Sequence, residues 1–154
     1  MRYLALDLGD RRTGLALGDR QTRVISPLPP IEVPLAARDG SDLIEAIARA
    51  VGDAVGGSPA TIVMGLPLNM DGTEGPRARI TRAFAQRLSA RLHRPIMLHD
   101  ERLTSSDAEW TLAGSGLTHG QKKQRRDGLA AAALLSDFLA SLGPIDASPA
   151  PGWT

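Results

Sequence analysis

The chain has 154 residues, 42% of them hydrophobic, enough for one domain burying about 70% of its unfolded surface; it has no cysteine, which excludes disulfides and thiolate metal sites. Three scattered histidines argue against zinc, and no apolar run reaches the ~18 residues of a membrane span; with no signal peptide after Met1-Arg2, the chain is expected to be soluble and cytoplasmic. A net charge of +1 excludes a uniformly basic coat, yet the cations are bunched: Arg11-Arg12, the series Arg77, Arg79 and Arg82, and Lys122-Lys123 with Arg125-Arg126.

In chain order, residues 2–8 read as a strand, 9–12 as a tight turn and 13–17 as a second strand, so a hairpin opens the fold. Residues 23–33 give a third strand that Pro27, Pro29 and Pro30 confine to an edge. A helix starts at Ser41-Asp42, carries Leu43, Ile44, Ile47, Val51, Ala54 and Val55 at helical spacing, and stops at Gly56-Gly57. The continuous apolar run 60–64 suits a central, parallel strand covered on both faces. After a loop over 65–75, Pro76 opens a helix with Ile80, Ala83, Phe84, Leu88 and Leu92 expected on its inner face. Residues 95–98 read as another buried strand, ending at His99-Asp100-Glu101-Arg102. Thr104, Ser105 and Ser106 are helix-cap types, and Ser106 with Glu109 forms a capping-box pattern before a short helix holding Trp110 and Leu112. A loop with Gly114, Gly116 and Gly120 precedes a last helix over 121–142, whose apolar stripe is Ala131, Leu134, Leu135, Phe138, Leu139 and Leu142. The result is an α/β chain: a mixed five-stranded sheet with helices on both faces, one domain over 1–142 and a flexible tail over 143–154.

Against that frame three carboxylates stand out. Asp7 sits at the end of an otherwise apolar strand, where an unpartnered charge is costly; capping the next turn would explain it, but Asp10 is better placed for that task. Glu101 ends a second apolar strand, at the edge where open α/β sheets gather ligands. Asp127 lies four residues before Ala131 on the inward stripe of the last helix, although an acid early in a helix also simply favours the dipole. Three acids converging on one sheet end would repel severely without cations. Oxygen ligands without His or Cys select Mg²⁺ or Mn²⁺. One ion, or two about 3.5–4 Å apart, would support phosphodiester hydrolysis. If the 60–64 strand lies between the other two, the acids start about 9–10 Å apart, with Gly65 leaving the gap open; Gly65-Leu-Pro67 equally suits ordinary turn chemistry.

These residues together resemble a known family. Asp7-Leu-Gly9 with Thr13-Gly14, Gly65-Leu-Pro67 with Asn69, Gly72 and Gly75, Asp100-Glu101-Arg102-Leu-Thr104-Ser105, and Lys122-Lys123 with Asp127, Ala130 and Ala131 resemble the YqgF (RuvX) family over residues 1–142. The resemblance implies an RNase H-like fold, similar to bacterial Holliday-junction resolvases, and an activity described either as junction resolution or as maturation of the 5′ end of 16S rRNA from its precursor. It also implies Asp7, Glu101 and Asp127 as acidic metal ligands. Resolvases of this fold place an acid at the end of the central strand, where this chain has Gly65-Leu-Pro67, so Glu101 on the next strand substitutes. Asp7-Leu-Gly9 further resembles the first phosphate motif of actin-like ATPases, which need two such domains and a longer chain.

Arg11, Arg12, Arg102, Lys122 and Lys123 are expected to hold flanking phosphates. Aromatic content of only 3% disfavours a stacking platform for single strands and favours structured RNA such as pre-16S rRNA, or branched DNA. The alternatives are a pre-rRNA nuclease, a Holliday-junction resolvase, and a nucleic-acid-binding factor without catalytic metal; monomer and homodimer both remain open.

Overall fold

The computed structural model describes residues 1–102 and 119–143, with the side chains of 119–127 excepted. The expected short helix around Trp110, the caps Thr104, Ser105 and Ser106, the loop glycines Gly114 and Gly116, and the tail from 144 onward lie outside the described residues.

The chain forms β1 (Arg2–Asp7), β2 (Thr13–Asp19), β3 (Ile25–Ile31), α1 (Ser41–Val55), β4 (Ala60–Leu66), α2 (Pro76–Leu92), β5 (Ile96–Asp100) and α3 (His119–Ser141). The strands make one sheet in the order β3-β2-β1-β4-β5. β1 and β3 both run antiparallel to β2, while β4 is parallel to both β1 and β5. The proline-bearing β3 is therefore an edge, as its missing amide donors require.

Strand alternation sorts the side chains into two layers. Leu4, Leu6, Leu15, Ile62 and Met64 pack with Leu43, Ile47 and Val51 of α1 and with Phe84 and Leu88 of α2. Tyr3, Ala5, Ala16 and Val63 face the other way, against Ala131, Leu134, Leu135, Phe138 and Leu139 of α3. Helices thus cover both faces of a mixed sheet. Burying a leucine such as Leu4 or Leu135, both fully inaccessible, contributes about 1.5–3 kcal/mol relative to leaving it exposed.

Several expectations shift. The inner face of α2 is Ala78, Thr81, Phe84, Ala85 and Leu88, whereas Ile80 is 47% exposed and Ala83 is exposed. The helix is turned so that small residues meet the sheet side. β5 is not a buried strand: it has β4 on one side only among the described residues, and Met97 is 47% exposed. β4 continues to Leu66, which puts Gly65 inside the strand and not in the loop. α1 is preceded by Gly40 at φ 88°, with no side-chain cap, and Ser41 is its first helical residue. α3 starts at His119, before the expected 121.

Candidate active site

Asp7 is the last residue of β1, and its side chain falls on the parity of Tyr3 and Ala5, the face that α3 covers. The register pairs Asp7 with Gly14 of β2 and Leu6 with Met64 of β4, so the next position beside Asp7 on β4 is Gly65. Across β4, Gly65 pairs with His99 and Leu66 with Asp100. The ladder goes one step past the strand, because Glu101 N–H donates to the Leu66 carbonyl at 3.3 Å.

Gly65 lies between the strand that carries Asp7 and the end of β5 that leads to Glu101. A methyl group built on it would lie 2.5 Å from Glu101 Oε2, 3.4 Å from Glu101 Cβ and 3.3 Å from Leu134 Cδ2. The Glu101 side chain therefore occupies the space that a side chain at 65 would fill, under Leu134 of α3. Burial raises the Glu101 carboxyl from an ordinary 4.5 to about 7, the charge of Asp7 adds to the rise, Arg77 opposes it, and Asp100 adds a smaller increment. A half-buried carboxylate pair of this kind, offering only oxygen donors, fits a hard divalent cation: the ion removes both the repulsion and the burial penalty.

Arg77 braces the rim. Its Nη1 donates to Asp10 Oδ1 at 2.5 Å and its Nη2 to the Leu8 carbonyl at 3.2 Å. Arg77 thus ties Asp10 and the turn after β1 to the start of α2. Arg102, expected on phosphate, donates through Nε and Nη2 to Asp100, and through Nη1 to the carbonyls of Asn69 and Met70 at 3.3 and 3.1 Å. The Arg102 guanidinium also holds the Asp100 carboxyl below its ordinary value, chiefly by side-chain hydrogen bonding. Arg11 is exposed, and Arg12 Nε lies 3.8 Å from Glu32 Oε1.

On the α3 face, His99 Nε2 lies 2.6 Å from Asp137 Oδ2, and the His99 ring meets Phe138 edge-on at 5.5 Å. This polar link ties β5 to α3 close to Glu101. Lys122, Lys123 and Asp127 lie on α3, with side chains outside the described set. Asp127 is one helical turn before the fully buried Ala131. Among the described residues no three His, Cys, Asp or Glu side chains form a metal-ligand group; the described part of the site is the Asp7/Glu101 pair. Arg77, His99 and Asp137 were not singled out from the sequence for this region. Arg77 stood in a basic series, but its partner Asp10 is 67 residues away, a separation on which periodicity is silent.

The sheet order and the two helical layers define an RNase H-like α/β protein with paired acids at the carboxyl ends of its parallel strands. In fold the chain is similar to T. thermophilus RuvC, solved in complex with a Holliday junction substrate, with TM-score 0.54 at 13% identity over 93% of this chain and 96% of RuvC. The family model RuvX, described as Holliday junction resolvase, matches residues 1–141, and the chain belongs to that family of nucleases. It is 41% identical over 144 residues to a protein of Anaeromyxobacter sp. (strain K), covering 94% of this chain and all of the relative. It is 39% identical over 136 residues to one of Chloroflexus aurantiacus, covering 88% and 84% of the two chains. Both relatives are named as candidate pre-16S rRNA nucleases.

Proposed function

We propose that this nuclease depends on a divalent metal and hydrolyses phosphodiester bonds at the 5′ end of pre-16S rRNA, in the cytoplasm, with residues 1–142 acting as one domain. The observation that supports the reading is Glu101 seated over Gly65 at the end of the parallel strands, where burial and the charge of Asp7 both raise its carboxyl. The relatives' name points to the substrate.

Asp7, Glu101 and Asp127 would hold Mg²⁺ or Mn²⁺, which when bound supplies Lewis acidity toward the scissile phosphate and acidifies a water nucleophile. The chain's own contribution is positional. Leu134 and the Gly65 backbone crowd the Glu101 side chain and limit the positions it can take. Arg77 lowers the cost of the negative pair from the rim. Arg102 fixes the strand end through Asp100, and together with Arg11, Arg12, Lys122 and Lys123 it would meet flanking phosphates. A second reading, cleavage of four-way DNA junctions, is favoured by the description of the RuvX family model.

The test is cleavage of precursor rRNA and of four-way DNA junctions by purified protein with Mg²⁺ or Mn²⁺, alongside Asp7→Asn. We expect cutting of the precursor, lowered at least about a hundredfold by the substitution. Preferential cutting of the junction selects the second reading. Unchanged activity in Asp7→Asn overturns the metal assignment, and cleavage of neither substrate leaves a binding factor.

A further inference from the structure

The polar link between β5 and α3 stands apart from the packing around it. α3 rests on β1, β2 and β3 and touches β4 only lightly, through an apolar layer that includes Ala131, Leu135, Phe138 and Leu139. Apolar packing is non-directional, so it does not by itself set the angle at which the helix crosses the sheet. Glu101 lies just beyond the end of β5, the strand farthest from that layer. His99 bridges the gap. The register sets it beside Gly65, and alternation puts its side chain on the same face as that of Glu101 two residues on. His99 Nε2 lies 2.6 Å from Asp137 Oδ2; a carboxylate only accepts, so Nε2 carries the hydrogen and donates. The His99 ring meets Phe138 edge-on, and Phe138 in turn packs on Tyr3 of β1 with ring centroids 5.7 Å apart. With 18% of the His99 side chain and 42% of that of Asp137 exposed, the bond is partly shielded from water. Asp137 is one turn after Leu134, whose Cδ2 borders the space above Gly65 that Glu101 fills. It is also ten residues after Asp127 on the same helix, about 15 Å along the axis.

We propose that His99 and Asp137 are positioning residues of the metal site: their bond fixes how α3 is seated over β5, and with it where Asp127 falls relative to Asp7 and Glu101. Neither side chain touches metal or substrate in this role. A hydrogen bond is directional where apolar contact is not, and bonds to an ionised group are among the short, strong ones. The lever is long. A tilt of α3 by about 10° pivoting at Asp137 would carry Asp127 about 2–3 Å, whereas ligand distances in metal sites hold within about 0.2 Å. Leu134, Leu135 and Leu139 are buried beneath the helix whether or not the bond is made, so its loss is expected at the metal site before it is felt in stability. Groups that orient metal ligands contribute about 10–100-fold in affinity; a pair acting at one remove, through the helix, belongs at the lower end. The proposal rests on the nuclease reading above, with Asp127 as a ligand, and adds two residues that act through it.

The chain has no cysteine, so Arg79→Cys on the exposed side of α2 and Gln124→Cys on α3 take one nitroxide each. Their separation is read by pulsed electron paramagnetic resonance in EDTA. Mn²⁺ affinity is read by calorimetry on unlabelled protein, with melting temperature in EDTA as the folding control. The parent protein is expected to give one narrow distance. His99→Ala and Asp137→Ala should broaden it and weaken Mn²⁺ binding about tenfold, while His99→Gln, whose side-chain amide still donates, should recover most of both. In an Asp127→Asn background the two alanine variants should weaken Mn²⁺ binding no further, because they act through that residue. Asp137→Asn keeps the shape with a weaker acceptor and should fall between, which carries the comparison if an alanine variant does not fold. A distance unchanged in both alanine variants overturns the proposal and leaves the pair as a stabilising contact. An equal loss of Mn²⁺ affinity with and without Asp127 also overturns it, as does Asp127→Asn with unaltered affinity, which leaves Asp7 and Glu101 as the metal pair. A parent protein that shows the narrow distance lost in His99→Ala, yet binds no Mn²⁺, overturns the metal reading and leaves the pair's hold on α3 standing.

Discussion

Glu101 concentrates the electrostatics of the site on one side chain. Its carboxyl is raised from 4.5 to about 7, so the folded protein holds a proton there that the unfolded chain has released. Stability of the metal-free protein should therefore fall as pH rises from about 4.5 to about 7, and this contribution should level off above. Denaturant titrations in EDTA across that window would show the slope, and Glu101→Gln should flatten it while removing cleavage. Gly65→Ala probes the same contact from below. The new methyl meets the movable end of Glu101 first, at 2.5 Å, so we expect a stability loss of only about 1–2 kcal/mol with cleavage largely abolished. Calorimetry paired with the cleavage assay separates the two effects. Thr13 is a simpler case: it is fully buried, and its Oγ1 has no hydrogen-bond partner among the described residues. Thr13→Val should stabilise the fold by about 1 kcal/mol in urea titrations. At this scale the strand-end positions of Asp7 and Glu101 were legible, since an acid ending an apolar strand is conspicuous. Arg77 on Asp10 and His99 on Asp137 were not, because each pair joins residues far apart in the chain.

At the scale of elements, the strands were readable because two-residue alternation and proline punctuation leave few alternatives. α2 was read with the wrong roll. Phe84 and Leu88 belong to either candidate face, and the true face is completed by Ala78, Thr81 and Ala85, which a search for large apolar residues passes over in favour of Ile80. The roll is testable: Ile80→Lys should change stability by less than about 0.5 kcal/mol, whereas Phe84→Ala should cost about 3–5 kcal/mol. β5 looked buried by composition, but composition does not report that a strand ends the sheet, and Met97 is left half exposed. α3 was placed within two residues at its start, because Leu134, Leu135, Phe138 and Leu139 form an unbroken stripe.

For the molecule as a whole, the site sets a conflict between activity and stability. Asp7→Asn removes a charge that raises the Glu101 carboxyl; in EDTA near pH 8 the variant should melt at a higher temperature than the wild type while cleaving far less. Adding Mg²⁺ should raise the wild-type melting temperature with ion concentration, as expected for a ligand that binds the native state, and should do so less in Asp7→Asn. Thermal shift measurements with and without metal decide both points.

One rim of the sheet carries a separate consequence. Pro27, Pro29 and Pro30 deprive three of the seven residues of β3 of an N–H. A foreign or sister strand laid along that border would find too few donors to zip onto, so continuous sheets cannot grow from this side. Should two copies join to grip a symmetric branched substrate, their seam would have to form through helices or loops or at the β5 margin, and substitutions along β3 should leave such pairing untouched.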